Sequence, residues 1–432
     1  MLFTVICIVG LLACLAGRLL FERYYNHLTI YSLFWTASLA FYTFRLIEYH
    51  TIMSEALIYI ALGWVMLFVG SITVIFAVAG QEDPIHFQIE PRGVQPTYST
   101  SLKLLSNIIV FLCTLSVIGI ILKLLSVLQT FGSVGSALIN ASLLYRMRVE
   151  GEFTSIPYLG SFPLAASCLA GLYTALRRKL TYLTYVPFFL VGLHGLVVMG
   201  RTDIMIAGAL FLSAYFYTPH KKFITRRTFL ALVLMIILTF GTFTVISSIR
   251  GLTARFNHET QEMSKLRSTI IFLPSIYFYL TAPPVAFSEY LYLDEEKVSP
   301  GSYTFKSVYN ILTKMDLAEP LPTYNPFIRT PEPINAGTYL REIHADFGPA
   351  GILVVPFIIG VFLTAMILRV KRKPNAFWII LLSHFFVIIW LSWDINAMKL
   401  GQWVVSLFVC ILIAWRLDSK QQDSNALQRG AP

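Results

Sequence analysis

Residues Val197–Phe216 read VVMGRTDIMIAGALFLSAYF. Around Arg201, Thr202 and Asp203 the apolar residues follow one another as a block, without the spacing of an amphipathic helix or strand. Blocks of about 18 apolar residues or more are long enough to cross a bilayer as helices. A guanidinium and a carboxylate beside such a block are costly to keep. The stretch therefore sets two questions: what fold surrounds it, and what the two charges hold.

The surrounding sequence answers the first. Of 432 residues, 56% are hydrophobic and 13% charged, and the mean hydropathy is +0.69. Soluble domains carry roughly twice that charged fraction, about 25%. The expected fold class is all-α, a polytopic membrane protein of about 11 transmembrane helices. The span cores fall near 1–20, 28–44, 57–79, 104–123, 161–176, 181–199, 203–217, 229–247, 347–368, 376–393 and 401–416. The segment 203–217 is short and reads as tilted, re-entrant or enclosed by other helices. Met1–Leu20 lacks a basic start and reads as a first span, not a cleaved leader.

Basic clusters set the orientation. RRK at 177–179, HKKFITRR at 220–227 and RVKRK at 369–373 are expected on the cytoplasmic side, and an even number of spans separates each from the next. The formal charge of +10 follows from the same bias and implies no nucleic-acid partner. The N-terminus then lies outside. Residues 1–417 form one transmembrane domain, and 418–432 a polar cytoplasmic tail. The long loops, 124–160 and 250–346, face outward. Within the second, TIIFLPSIYFYLTAPPVAF at 269–287 is punctuated by Pro274, Pro283 and Pro284. It reads as interfacial helices too broken to span, with Tyr277, Phe278 and Tyr279 at headgroup depth.

Three constellations on the outer side carry chemistry. Arg201 sits between spans six and seven, with His194 two helical turns earlier and Asp203 two residues later. Positive charge on this face runs against the usual bias and suggests an anionic ligand, which the planar guanidinium fork suits. Arg250 and Arg255 follow span eight, and Arg146 and Arg148 lie in the first long loop. Taken together, these arginines read as a basic pocket; taken singly, each reads as a headgroup anchor. In INAGTYLREIHADFGPAGILVVPFIIG, 334–360, Tyr339, Glu342 and Asp346 share one helical face, with Arg341 and His344 beside it. Glu342, Asp346 and His344 are candidate bases for a substrate hydroxyl. Asn335 and Thr338 are candidate partners for sugar hydroxyls. Dipole compensation and interface anchoring would account for the same residues without catalysis. Asp394 and Lys399 read as helix-flanking charges. The five cysteines, Cys7, Cys14, Cys113, Cys168 and Cys410, lie in apolar blocks without ligand spacing and suggest neither a metal site nor disulfides. No GxxxxGK[ST] loop or HExxH motif occurs.

GRTDIMIAGALFLSAYF, SSIRG and NAGTYLREIHADFGPAGILVVPFIIG together resemble motifs of the bacterial oligosaccharide repeat-unit polymerases, the Wzy-type O-antigen and capsule polymerases. The resemblance covers the layout of most of the chain, and motifs only around 199–216, 247–251 and 334–360. It implies a GT-C-like membrane glycosyltransferase at the outer face of the inner membrane, using undecaprenyl-pyrophosphate-linked oligosaccharides and neither cofactor nor metal. It also implies membrane lipids and a chain-length regulator protein as partners. By position it assigns Arg201, Arg250 and Arg255 to the pyrophosphate and His344 to the acceptor, with Glu342 and Asp346 as rivals. An O-antigen ligase shares the chemistry. A lipid-linked oligosaccharide transporter is the alternative without bond formation, for which internal repeats and midplane charges are expected. The sequence shows neither.

Overall fold

In the computed structural model the described residues are 2–79, 99–149, 158–219, 241, 245–246, 249, 258–270, 273–293, 298–321 and 327–429. They form a helical bundle whose one β element is the two-stranded pair β1, Ile328–Arg329, and β2, Pro333–Ile334. The helices are α1 Leu2–Phe21, α2 His27–Tyr42, α3 Ser54–Ala79, α4 Ser99–Phe131, α5 Val134–Ile139, α6 Ala141–Val149, α7 Phe162–Arg177, α8 Tyr182–Val198 and α9 Thr202–Tyr217. After them come α10 Gln261–Thr269, α11 Leu273–Leu293, α12 Lys306–Lys314, α13 Thr338–Arg372, α14 Ala376–Leu391 and α15 Gly401–Arg429.

Among the described residues, six helices are long and apolar enough to cross a membrane: α1, α3, α4, α7, α13 and α15. α8, α9 and α14 are apolar but shorter. The chain is thus an all-α, multi-pass membrane protein. Of the eleven expected spans, 229–247 lies almost wholly outside the described residues. The short span is explained: α9 is enclosed by its neighbours, with Ile206, Ala207, Ala209 and Leu210 at 0% exposure. At the periphery the pattern reverses. Leu19 is 80% and Phe76 72% exposed, as lipid-facing side chains must be when hydrocarbon is the solvent.

Small residues set the packing. α7 carries Ala165, Ala166, Ser167, Ala170 and Gly171 along its buried length, so neighbouring backbones approach closely. α3 and α13 meet through a reciprocal glycine pair. A Cβ on Gly70 would lie 2.2 Å from the Phe357 carbonyl oxygen, and one on Gly360 would lie 2.3 Å from that of Leu67.

Many polar contacts gather at the two ends of the bundle. At one, Lys371 donates to the Phe21 carbonyl at 3.2 Å, the Asp418 carboxylate accepts from the first amides of α14, and Tyr25 bonds Ser213 at 2.8 Å. The basic clusters 177–179 and 369–373 close helices here, whereas 220–227 lies outside the described residues. At the other end gather 45–53, the described residues of 258–346, and 392–402. Ile47 bridges Glu259, and Thr338 and Tyr339 donate their amides to the carbonyls of Asp394 and Ser392 at 3.1 and 3.0 Å.

Two expectations change at this loop-rich end. The stretch 269–287 is not broken at its prolines: α11 runs through Pro283 and Pro284. It packs on protein, with Tyr277 and Phe278 buried against Tyr49. Proline removes one helical donor, but packing on several neighbours holds the helix together. α13 begins nine residues before the expected span and kinks at Gly348, whose φ of 63° and ψ of −158° are non-helical. Only glycine adopts such a conformation readily, and Pro349 resumes the helix from a position where proline is tolerated. The short arm 338–347 carries the polar motif, and the long arm is the apolar span.

Candidate functional site

The start of α9 and the short arm of α13 converge with the 392–400 connection. Glu342 is 1% exposed, and its Oε1 receives Lys399 Nζ at 2.5 Å. Asp394 lies in the same electrostatic neighbourhood. Burial pushes its carboxyl from 3.8 up to about 7, with repulsion from Glu342 adding to the rise and attraction from Arg201 and Lys399 opposing it. Its Oδ1 is buried without a hydrogen-bond partner among the described residues. Lys306, at the start of α12, is pushed down to about 8 by burial and by Lys399, against the pull of Glu342. Arg201 is buried at the head of α9, its guanidinium 3.8 Å from the centroid of Tyr279, a stacking that fixes the plane of the fork.

Three cations, Arg201, Lys306 and Lys399, thus face two acids, Glu342 and Asp394, and the second acid is half-protonated near neutrality. The excess is positive and shielded from water, so an anion placed there meets strong, weakly screened attraction.

The remaining expected residues divide by place. Arg341 is buried, its guanidinium 5.5 Å from the centroid of Tyr290. The same tyrosine hydroxyl lies 3.4 Å from His344 Nδ1, and Tyr59 also packs on that imidazole. Asp346 accepts from the amides of Tyr303 and Thr304 at 3.0 and 2.6 Å and from the Ser302 hydroxyl at 3.4 Å. That carboxylate anchors the turn before α12. Tyr339 and Thr338 do not present hydroxyls to open space. Tyr339 bonds Tyr31 at 3.0 Å, and Thr338 accepts from the Leu340 amide at 3.2 Å; both residues are buried and build the site from within. Asn335 is half-buried beside β2. His194, expected two helical turns from Arg201, instead comes within 3.3 Å of Asp203, beside a separate cavity. Arg250 and Arg255 lie outside the described residues. Arg146 and Arg148 lie on α6, whose described part does not include their side chains.

Sequence reasoning missed Asp394 and Lys399, reading them as helix flanks. The signal for them was modest: two charges only five residues apart between apolar helices. It likewise found no relation among the cysteines. Cys168, His384 and Cys410, from α7, α14 and α15, bring their sulfur and nitrogen atoms within 4.8 Å of one another. Both nitrogens of His384 are engaged within the protein, Nδ1 with the Ile380 carbonyl at 2.9 Å and Nε2 with Ser406 at 3.1 Å.

No family model, curated protein or solved structure matches this chain. Fold and composition define a multi-pass helical membrane protein with a charged, shielded site at one end of the bundle.

Proposed function

We propose that the protein is a membrane glycosyltransferase that polymerises undecaprenyl-pyrophosphate-linked oligosaccharide units at the outer face of a bacterial inner membrane. The observation that carries this reading is the cation-rich cluster of Arg201, Lys306 and Lys399 around Glu342 and Asp394. In the transfer, an acceptor hydroxyl displaces a lipid diphosphate from the anomeric carbon. Negative charge grows on the departing oxygen, and preorganised cations stabilise that charge more in the transition state than in the ground state. Arg201 supplies a planar fork on a fixed support, and Lys399 a point charge balanced at rest by Glu342. A histidine or carboxylate at the same end takes the acceptor proton. Glu342 is engaged by Lys399 and Asp346 by the 302–304 turn, while His344 borders Arg341 across Tyr290.

The test uses the full chain in lipid nanodiscs with synthetic undecaprenyl-pyrophosphate-linked repeat units. Wild type is expected to give a ladder of lengthened glycans. Arg201→Ala, folded and membrane-inserted, is expected to be about a hundredfold slower, the scale of one lost transition-state donor. A wild-type protein that forms no glycosidic bond from such donors refutes the proposal.

A further inference from the structure

α4, α8, α9 and α15, with the turn before α7, line an open cavity of about 520 Å³ at the loop-rich end. Small-molecule sites span about 300–1,000 Å³. Part of the wall is apolar, from Leu122, Leu125 and Val198, and the rest is polar. Ser161 is fully buried, and its hydroxyl, without a partner among the described residues, belongs to a residue of this wall. Such an orphan hydroxyl is costly unless something fills its place.

Asp203 and His194 form the functional wall. Asp203 is 5% exposed. Gln402 donates its side-chain amide to Oδ1, and Oδ2 lies 3.3 Å from His194 Nδ1, an ion-pair distance without a linear hydrogen bond. The far edge of the imidazole rests against Gly160, where a Cβ would come within 2.9 Å of Nε2. Glycine there leaves room for the ring at the cavity wall. Carboxylate and imidazole stand side by side on the cavity wall, the pairing of an oriented general base. Arg201, two residues away, faces Tyr279 and Asp394 instead. The head of α9 therefore stands between two compartments, one cationic and one carrying a base.

We infer that this cavity receives the hydroxyl-bearing sugar of the acceptor and that His194, oriented by Asp203, takes its proton. The inference rests on the transferase reading above. The hydroxyl oxygen attacks the anomeric carbon of the donor sugar. The bond from that carbon to the diphosphate oxygen breaks, and its electron pair leaves with the diphosphate on the Arg201 side. The hydroxyl proton passes to His194 Nε2, Asp203 balances the imidazolium, and the proton is then released to water. Among the described residues, the titratable groups that line the cavity with His194 are Asp203 from α9, Lys123 from α4 and Tyr158 before α7, while α15 contributes the neutral Gln402.

The test takes the full chain in nanodiscs with synthetic lipid-linked donor and acceptor units. His194→Gln is expected to lower kcat about a hundredfold, leave the donor KM unchanged and remove the acid limb of the kcat/KM profile. His194→Gly should regain turnover with added imidazole. Ser126→Trp, at the half-buried rim of the cavity, should raise the acceptor KM at least tenfold without changing the melting temperature. A His194→Gln protein with wild-type turnover and acid limb overturns the inference, as does loss of that limb in His344→Gln alone. Should His194→Gln fail to fold, an unchanged acceptor KM in Ser126→Trp overturns it. A wild type that makes no product instead refutes the transferase reading itself.

Discussion

Replacing Asp394 by Asn tests the central energetic feature of the charged site. Burial lifts this carboxyl from 3.8 to about 7 even though Arg201 and Lys399 attract its anion. Desolvation therefore outweighs two favourable charges, as it does for many buried ions. The sign follows from linkage. Between 3.8 and about 7 the folded state keeps a proton that the unfolded chain has released, so this group erodes stability as pH rises across that window. At 1.36 kcal/mol per pH unit, the loss is about 4 kcal/mol above pH 7. Asparagine has no proton to lose, so Asp394→Asn should be more stable than wild type by about 4 kcal/mol at pH 8 and by only about 1 kcal/mol at pH 4.5. Reversible denaturation in mixed micelles, followed by tryptophan fluorescence at both pH values, reads the difference. Equal effects at the two pH values, or a wild type more stable at pH 8, would refute the reasoning. A variant that gains stability while losing turnover would place the carboxylate among residues retained for function at a cost in stability.

Lys399→Met strands the buried Glu342 carboxylate and should cost about 3–5 kcal/mol. Adding Glu342→Gln should restore most of that loss, a coupling that a double-mutant cycle in the same denaturation assay measures directly. Asp346→Ala removes the acceptor for the Tyr303 and Thr304 amides and the Ser302 hydroxyl, so hydrogen exchange should rise selectively across 301–306 while the transmembrane helices stay protected. Gly360→Leu drives a side chain into the α3 backbone at Leu67, and the protein should fail to accumulate in the membrane, which immunoblotting of membrane fractions reads. Arg201→Lys keeps the charge but loses the fork and most of its stacking on Tyr279, and its transfer rate should fall nearly as far as that of Arg201→Ala.

Apolar block length is a local property, and it made the membrane class legible. The cost of unsatisfied backbone in hydrocarbon leaves helices as the spanning element for such blocks. Charge placement is nearly as local: Arg201, Glu342 and His194 stood out because each interrupts or borders a greasy run. Helical spacing set His194 with Arg201, but the helix ends at Val198 and the imidazole meets Asp203 of the next helix instead. Nor could spacing show that Asp346 is spent on holding a turn, because its partners are some forty residues away in sequence.

The sequence by itself therefore determined an all-α membrane chain and a concentration of ionisable groups around Arg201 and residues 334–346. Only the tertiary structure decided which of those groups meet. It joined Lys399 to Glu342 and drew Asp394 into the same buried neighbourhood. It ran α11 unbroken through two prolines, and it set His194 beside a cavity. The physical reason is that helix formation depends on neighbours along the chain, whereas desolvation and charge pairing depend on neighbours in space. A charged residue between two spans reads alike on the page whether it anchors to lipid headgroups or is sealed against a counter-ion brought in by another helix.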